Sequence, residues 1–133
     1  MKIRDLLTEK RLHNLEEMVA ELTLEELKLK IDEGEIFNLV EVSNQSDFNQ
    51  GHIPGAVNIP LNTLRETADQ KFRKYEQIVV YCQESSSSVG ITSARILQSL
   101  GFSNVLLFRG GKKAWQEAGY GLEGQQVEEK VAG

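Results

Sequence analysis

The 133-residue chain holds one cysteine, two prolines, two histidines and one tryptophan, and each scarcity narrows what it can be. A single cysteine excludes an internal disulfide and fits a reducing, cytoplasmic compartment. One cysteine and two histidines argue against a structural zinc site, which ordinarily takes four ligands. Basic charge is also short: 15 Lys and Arg stand against 20 Asp and Glu, a formal net charge of -5. No excess exists to neutralise phosphates, so nucleic acid is not an expected partner. No apolar run approaches the roughly 20 residues of a membrane span. The opening "MKIRDLLTEKRLHNL" carries acids and no apolar stretch, so it is not read as a secretory signal. No G-x-x-x-x-G-K-[ST] phosphate loop occurs, and Gly110-Gly111-Lys112 is too short to be one.

What is present describes a globular chain of one-domain size, 40% hydrophobic and 26% charged. Ile3, Leu6, Leu7, Leu15, Met18, Val19 and Leu22 recur at helical spacing. Residues 3–20 are therefore read as an amphipathic helix, able to pack on its own domain or to dock a partner or a second copy. Thr23-Leu24-Glu25-Glu26 has the form of a capping box and opens a second helix, which Gly34 is placed to end. Ile36–Val42 reads as a buried strand. Ser46–Pro60 contains both prolines and reads mostly as turn. "LNTLRE" suggests a short helix, "QIVVYC" a strand, Ser93–Gln98 a helix and Ser103–Phe108 a strand. A glycine turn and a short helix follow in "GGKKAWQEAGY". The tail "GQQVEEKVAG" is polar. Strands rich in Val, Leu and Ile that alternate with helices predict an α/β fold with a parallel sheet covered on both faces.

The only cysteine, Cys82, stands where the strand "VVY" ends and a helix is about to begin. Gln83, Glu84, Ser85, Ser86, Ser87, Ser88 and Val89 lie between. Ligands of open α/β folds gather at the carboxyl ends of strands. A loop that feeds a helix presents backbone amides there, and those groups stabilise a thiolate, the nucleophilic form of cysteine. Small residues let the loop curl round the sulfur, and serine hydroxyls add donors. The plainer alternative is an inert buried cysteine beside a surface loop. A Cys–His pair would need His13, placed in the first helix, or His52, at a proline turn where a structural hydrogen bond is its expected job.

Three blocks in order resemble the rhodanese-like domain family: "LVEVSNQSDFNQGHIPGAVNIP", "VVYC" and "GFSNVLLFRGGKKAWQEAGYGLE". The resemblance implies a rhodanese-like domain over residues 22–123, an N-terminal helical extension over 1–21 and a polar tail over 124–133. It implies a five-stranded parallel sheet flanked by helices on both faces, with no cofactor and no metal. It also implies a sulfurtransferase in which Cys82 takes a sulfane sulfur from a small donor or a persulfidated protein, becomes a persulfide, and passes the sulfur to a thiophilic acceptor. Gln83, Glu84, Ser85, Ser86, Ser87, Ser88 and Val89 would form the substrate-binding loop.

Departures from the family pattern keep other readings open. Many members read Asp-Val-Arg where this chain has Glu41-Val42-Ser43. Their catalytic loops carry a cation, whereas Gln83–Gly90 has none and Glu84 adds a negative charge. A rhodanese-fold binding or regulatory module with weak catalysis is the alternative. An arsenate reductase or phosphatase is less favoured, because Ser88 stands where a Cys-x5-Arg motif needs its guanidinium. An acidic chain whose loop lacks a cation is expected to use thiosulfate, a dianion, less well than a less charged persulfide.

Overall fold

The computed structural model describes residues 19–124. Helix α1 (Leu24–Asp32) begins at the expected capping box: Thr23 N–H donates to Glu26 Oε1 (2.7 Å) and Glu26 N–H to Thr23 Oγ1 (3.0 Å). These two bonds satisfy amides that a helix start leaves without partners. Gly34, at φ 69°, turns the chain out of the helix. Strand β1 (Asn38–Glu41) follows, then α2 (Gln45–Asn49), β2 (Val57–Asn58), a 3-10 turn (Leu61–Thr63) and α3 (Leu64–Lys71). Strand β3 (Gln77–Tyr81), α4 (Val89–Ser99), β4 (Asn104–Leu107) and α5 (Gly111–Glu117) complete the order.

The four strands pair in parallel, in the order β2-β1-β3-β4, with Glu41 level with Tyr81 and Val80 with Leu107. Alternation along the strands divides the core between two layers. Val40, Ile78 and Val80 pack with Leu64, Ala68, Ala94 and Leu97 on the α3/α4 side. Leu39, Val79 and Tyr81 pack with Leu27, Ile53 and Trp115 on the α1/α5 side. Both faces being covered explains why these strands read as continuous apolar runs.

Among the described residues the sheet has four strands, against an expectation of five. At the place of a fifth there is a single parallel bridge, Glu21 to Leu107. Leu107 N–H donates to the Ala20 carbonyl (2.8 Å) and Leu22 N–H to the Leu107 carbonyl (3.2 Å). Thr23 then commits the chain to α1, which ends the pairing on that side. The expected helix over residues 3–20 lies outside the described residues as far as Met18. Val19 and Ala20, its last two positions, are not helical, and Val19 packs on the α3/α4 core. All of the tail beyond Gly124 lies outside the described residues too.

Other boundaries moved. Ile36, expected in β1, is fully exposed, and the strand begins at Asn38. The region read as turn over Ser46–Pro60 contains most of α2 and all of β2. Helix α2 is short and buries no residue, so it has no apolar period to detect. Asn44 makes it by accepting the Asp47 amide at 2.8 Å. The helix after Cys82 starts earlier than Ser93, at Val89.

Candidate active site

Strand β3 runs out at Tyr81, and the next residue carries the thiol. Even-numbered residues of β3 face α4, and Cys82 continues that parity. Its Sγ lies against the first turn of α4, 3.4 Å from where a Cβ on Gly90 would sit. Any side chain at residue 90 would crowd both the sulfur and Leu107 Cδ1, 3.0 Å away. Cys82 is 5% exposed, and its S–H donates to the Glu84 carbonyl at 3.6 Å.

The loop Gln83–Ser88 bonds largely to itself. Ser87 N–H donates to the Glu84 carbonyl (3.2 Å) and Val89 N–H to Ser87 Oγ (3.1 Å). Ser86 Oγ donates to Glu84 Oε2 at 2.8 Å. Two of the four serine hydroxyls are therefore engaged in shaping the loop and are turned to loop atoms instead of the sulfur. Ser85 and Ser86 line an open, polar hollow of about 330 Å³ with Glu84, Lys113 and Glu117. Gln83 faces a different hollow of about 290 Å³, with Asp47, Lys112 and Gln116. Gln83 thus lines one hollow and Glu84, Ser85 and Ser86 another, while Ser87, Ser88 and Val89 line neither of the two.

The start of α5 is clamped onto that segment from the opposite side. Lys112 N–H donates to the Cys82 carbonyl and Lys113 N–H to the Gln83 carbonyl, both at 2.9 Å. Gly111 makes this approach possible. Its φ is 70°, and a Cβ there would stand 2.5 Å from the Cys82 carbonyl oxygen. The cation missing from the loop sequence is supplied in space by α5: Lys113 Nζ lies 3.8 Å from Glu84 Oε1 on the exposed side.

Beneath the clamp is a buried polar network that reading the sequence did not single out. Glu41, at the end of β1, is fully buried. Its Oε1 accepts the Tyr81 hydroxyl at 2.7 Å, and its Oε2 accepts the Ser43 hydroxyl at 2.6 Å. Lys112 Nζ lies 3.0 Å from Oε2 and also donates to the Asp47 carbonyl at 2.9 Å. Tyr81 Oη in turn accepts Ile53 N–H at 3.0 Å. Burial, and after it the Glu41 carboxylate, push the Tyr81 phenol far above its ordinary range, so the hydroxyl keeps its proton and acts as donor. One clue was available in the sequence. Glu41 is a charge inside an apolar strand, and a buried charge requires a partner.

His52 has a structural role, as its place at a proline turn suggested. Its Nδ1 lies 3.1 Å from the Phe48 carbonyl, its ring stacks on Phe48, and its backbone bridges Glu123. His13 lies outside the described residues. Among the described residues no group of three or more His, Cys, Asp or Glu is placed to hold a metal ion. No helix among them is long and apolar enough to cross a membrane.

A model of the rhodanese-like domain matches residues 23–118. The Bacillus subtilis (strain 168) protein YrkF is 29% identical over 97 residues, which are 73% of this chain and 51% of that protein, so the chain spans about half of this relative's length. A sulfurtransferase of Allochromatium vinosum is 28% identical over 102 residues, 77% of this chain and 92% of that one. Among solved structures, the rhodanese-like domain of an Anabaena sp. protein superposes with a TM-score of 0.75 at 30% identity, covering 87% of each chain.

Proposed function

Because the chain belongs to the rhodanese-like domain family, we propose that it is a sulfurtransferase that carries a sulfane sulfur on Cys82. The observation that carries this reading is the placement of the thiol. It is the one cysteine of the sequence, it sits at the carboxyl end of a central parallel strand, and its sulfur rests on the first turn of α4.

The two half-reactions balance simply. The Cys82 thiolate attacks the outer sulfur of a donor R–S–S⁻ or of thiosulfate. The new S–S bond takes over that sulfur as the bond to the donor's remaining atoms breaks, and a thiolate or sulfite leaves with the electron pair. A thiophilic acceptor, itself a nucleophile, then attacks the terminal sulfur of the Cys82 persulfide and regenerates the Cys82 thiolate. No net oxidant is consumed in either step. Glu84, Ser85, Ser86 and Lys113 line one hollow beside the segment that follows the thiol, where a donor would bind.

Two features favour a second reading, a binding module with weak turnover. The sulfur is nearly covered, and its S–H is donated inward to the Glu84 carbonyl. Mass spectrometry separates the two. After incubation with thiosulfate or a small persulfide, the enzyme reading expects a gain of about 32 Da, one sulfur atom, on Cys82 and its release to an added thiol or cyanide. Cys82→Ser should show neither. Wild-type protein that gains no sulfur from either donor overturns the enzyme reading in favour of the binding module.

A further inference from the structure

We infer that the Glu41–Lys112 ion pair is a positioning device for Cys82, holding the peptide of the thiol at a set height above the sheet. The pair is far from idle in the geometry. One carboxylate, Glu41, receives the hydroxyl of Tyr81, the residue immediately before Cys82 (2.7 Å). The same carboxylate holds Lys112 (3.0 Å), whose own amide donates to the Cys82 carbonyl (2.9 Å). The residue before the thiol and the group that caps its carbonyl are thus tied to one buried point. Asp47, Ser43 and Ile53 complete the ties to the segments around β1 and β2 through the bonds described above.

Stability gives no reason for such a pair. Burying two charges costs desolvation that their attraction only roughly repays, and apolar residues of similar volume often serve as well. What a pair offers that an apolar contact does not is direction, because its hydrogen bonds fix where each atom lies. Glu41 and Lys112 touch no reacting atom in this arrangement. They act through the Cys82 backbone, so they are positioning residues. Their effect on turnover rests on the sulfur-transfer reading; their effect on the geometry of Cys82 does not.

The test removes both charges together, so that neither is left buried alone. In Glu41→Gln with Lys112→Met, the glutamine oxygen can accept from one of the Tyr81 and Ser43 hydroxyls and its amide can donate to the other, and methionine keeps the volume of the lysine stem. Melting shows that the variant is folded. Amide hydrogen exchange at residue 112 is expected to quicken by about tenfold or more while exchange within β3 stays unchanged, as local opening would produce. Alkylation of Cys82 by neutral iodoacetamide is expected to rise by roughly threefold or more, since the thiol loses part of its cover. If the protein transfers sulfur, kcat should fall with KM nearly unchanged. A folded variant with wild-type exchange at residue 112, or with wild-type alkylation, overturns the inference, whether or not the wild type has activity. Should the double variant fail to fold, Ser43→Ala removes one donor from Glu41 at a half-buried residue. Faster exchange at residue 112 in that variant supports the inference, and unchanged exchange overturns it.

Discussion

The loop Gln83–Ser88 and the start of α5 at Gly111 and Lys112 both border Cys82, yet one is mostly exposed and bonded to itself while the other is buried and bonded to the sheet. Past Gln83, whose carbonyl is held by Lys113 N–H, the loop's bonds run mostly to neighbours two to four residues away, so that part can open at less cost to the core. The α5 side satisfies its groups with β1, β3 and the Asp47 carbonyl, so it cannot shift without breaking long-range bonds. On the sulfur-transfer reading proposed above, a site that admits a donor and still holds its thiol in place needs one side of each kind. The thiol's S–H is donated to the loop at Glu84, while its own carbonyl is anchored by the α5 side.

The contrast breaks first at its buried side. Lys112→Ala alone leaves the Glu41 carboxylate enclosed without its cation, and it should destabilise the fold by about 3–5 kcal/mol. Denaturant unfolding measures this. A loss close to that of an exposed ion pair, under about 1 kcal/mol, would place the fixed side elsewhere. Gly111→Ala attacks the same side sterically, with a positive φ and a Cβ 2.5 Å from the Cys82 carbonyl oxygen. A cost of about 3 kcal/mol is expected, combining left-handed strain with the displaced contact. Gly34→Ala is the control for the strain alone, because nothing lies within 4 Å of a Cβ there.

Alkali probes the network from a third direction. The Tyr81 phenol ionises near 10.0 when unfolded and only at far higher pH when folded. Above pH 10 the unfolded state therefore binds fewer protons than the native state, and stability must fall as pH rises, by up to about 1.4 kcal/mol per pH unit. Below pH 10 this contribution is fully present. Tyr81→Phe should lose that part of the alkaline slope, which pH-dependent melting would read.

The smallest effect is expected on the exposed side. Glu84 faces Lys113 at 3.8 Å with both side chains about half exposed, so its charge is already partly offset and well solvated. Glu84→Lys should leave melting nearly unchanged. It should raise kcat/KM for thiosulfate over a small persulfide by a factor of a few, about 1 kcal/mol or less, and added salt should erase the gain. Equal changes for both donors would mean that local charge does not select the donor.

Much of this architecture could be read from local pattern. The capping box at Thr23 and Glu26, the stop at Gly34, and the apolar runs of β1, β3 and β4 depend on residues within a few positions of one another. The place of Cys82 at a strand end was legible for the same reason. Helix α2 was not, because a five-residue helix with no buried face leaves only its Asn44 cap as a signal. Nor was the fifth-strand remnant, since Ala20 and Leu22 bond to Leu107, far along the chain.

Determined by the sequence alone were the sheet's parallel character, the single cysteine at the end of β3 and the absence of a cation from the loop that follows it. All three are properties of residue type and local order. What only the tertiary structure decided is who stands beside that thiol. Glu41 and Lys112 are 71 positions apart, and Lys113 reaches Glu84 from another element. Parallel strands with crossover helices bring distant strand ends and helix starts to one edge of the sheet. Charge partners there are therefore chosen by distance in space, which no local pattern of residues records.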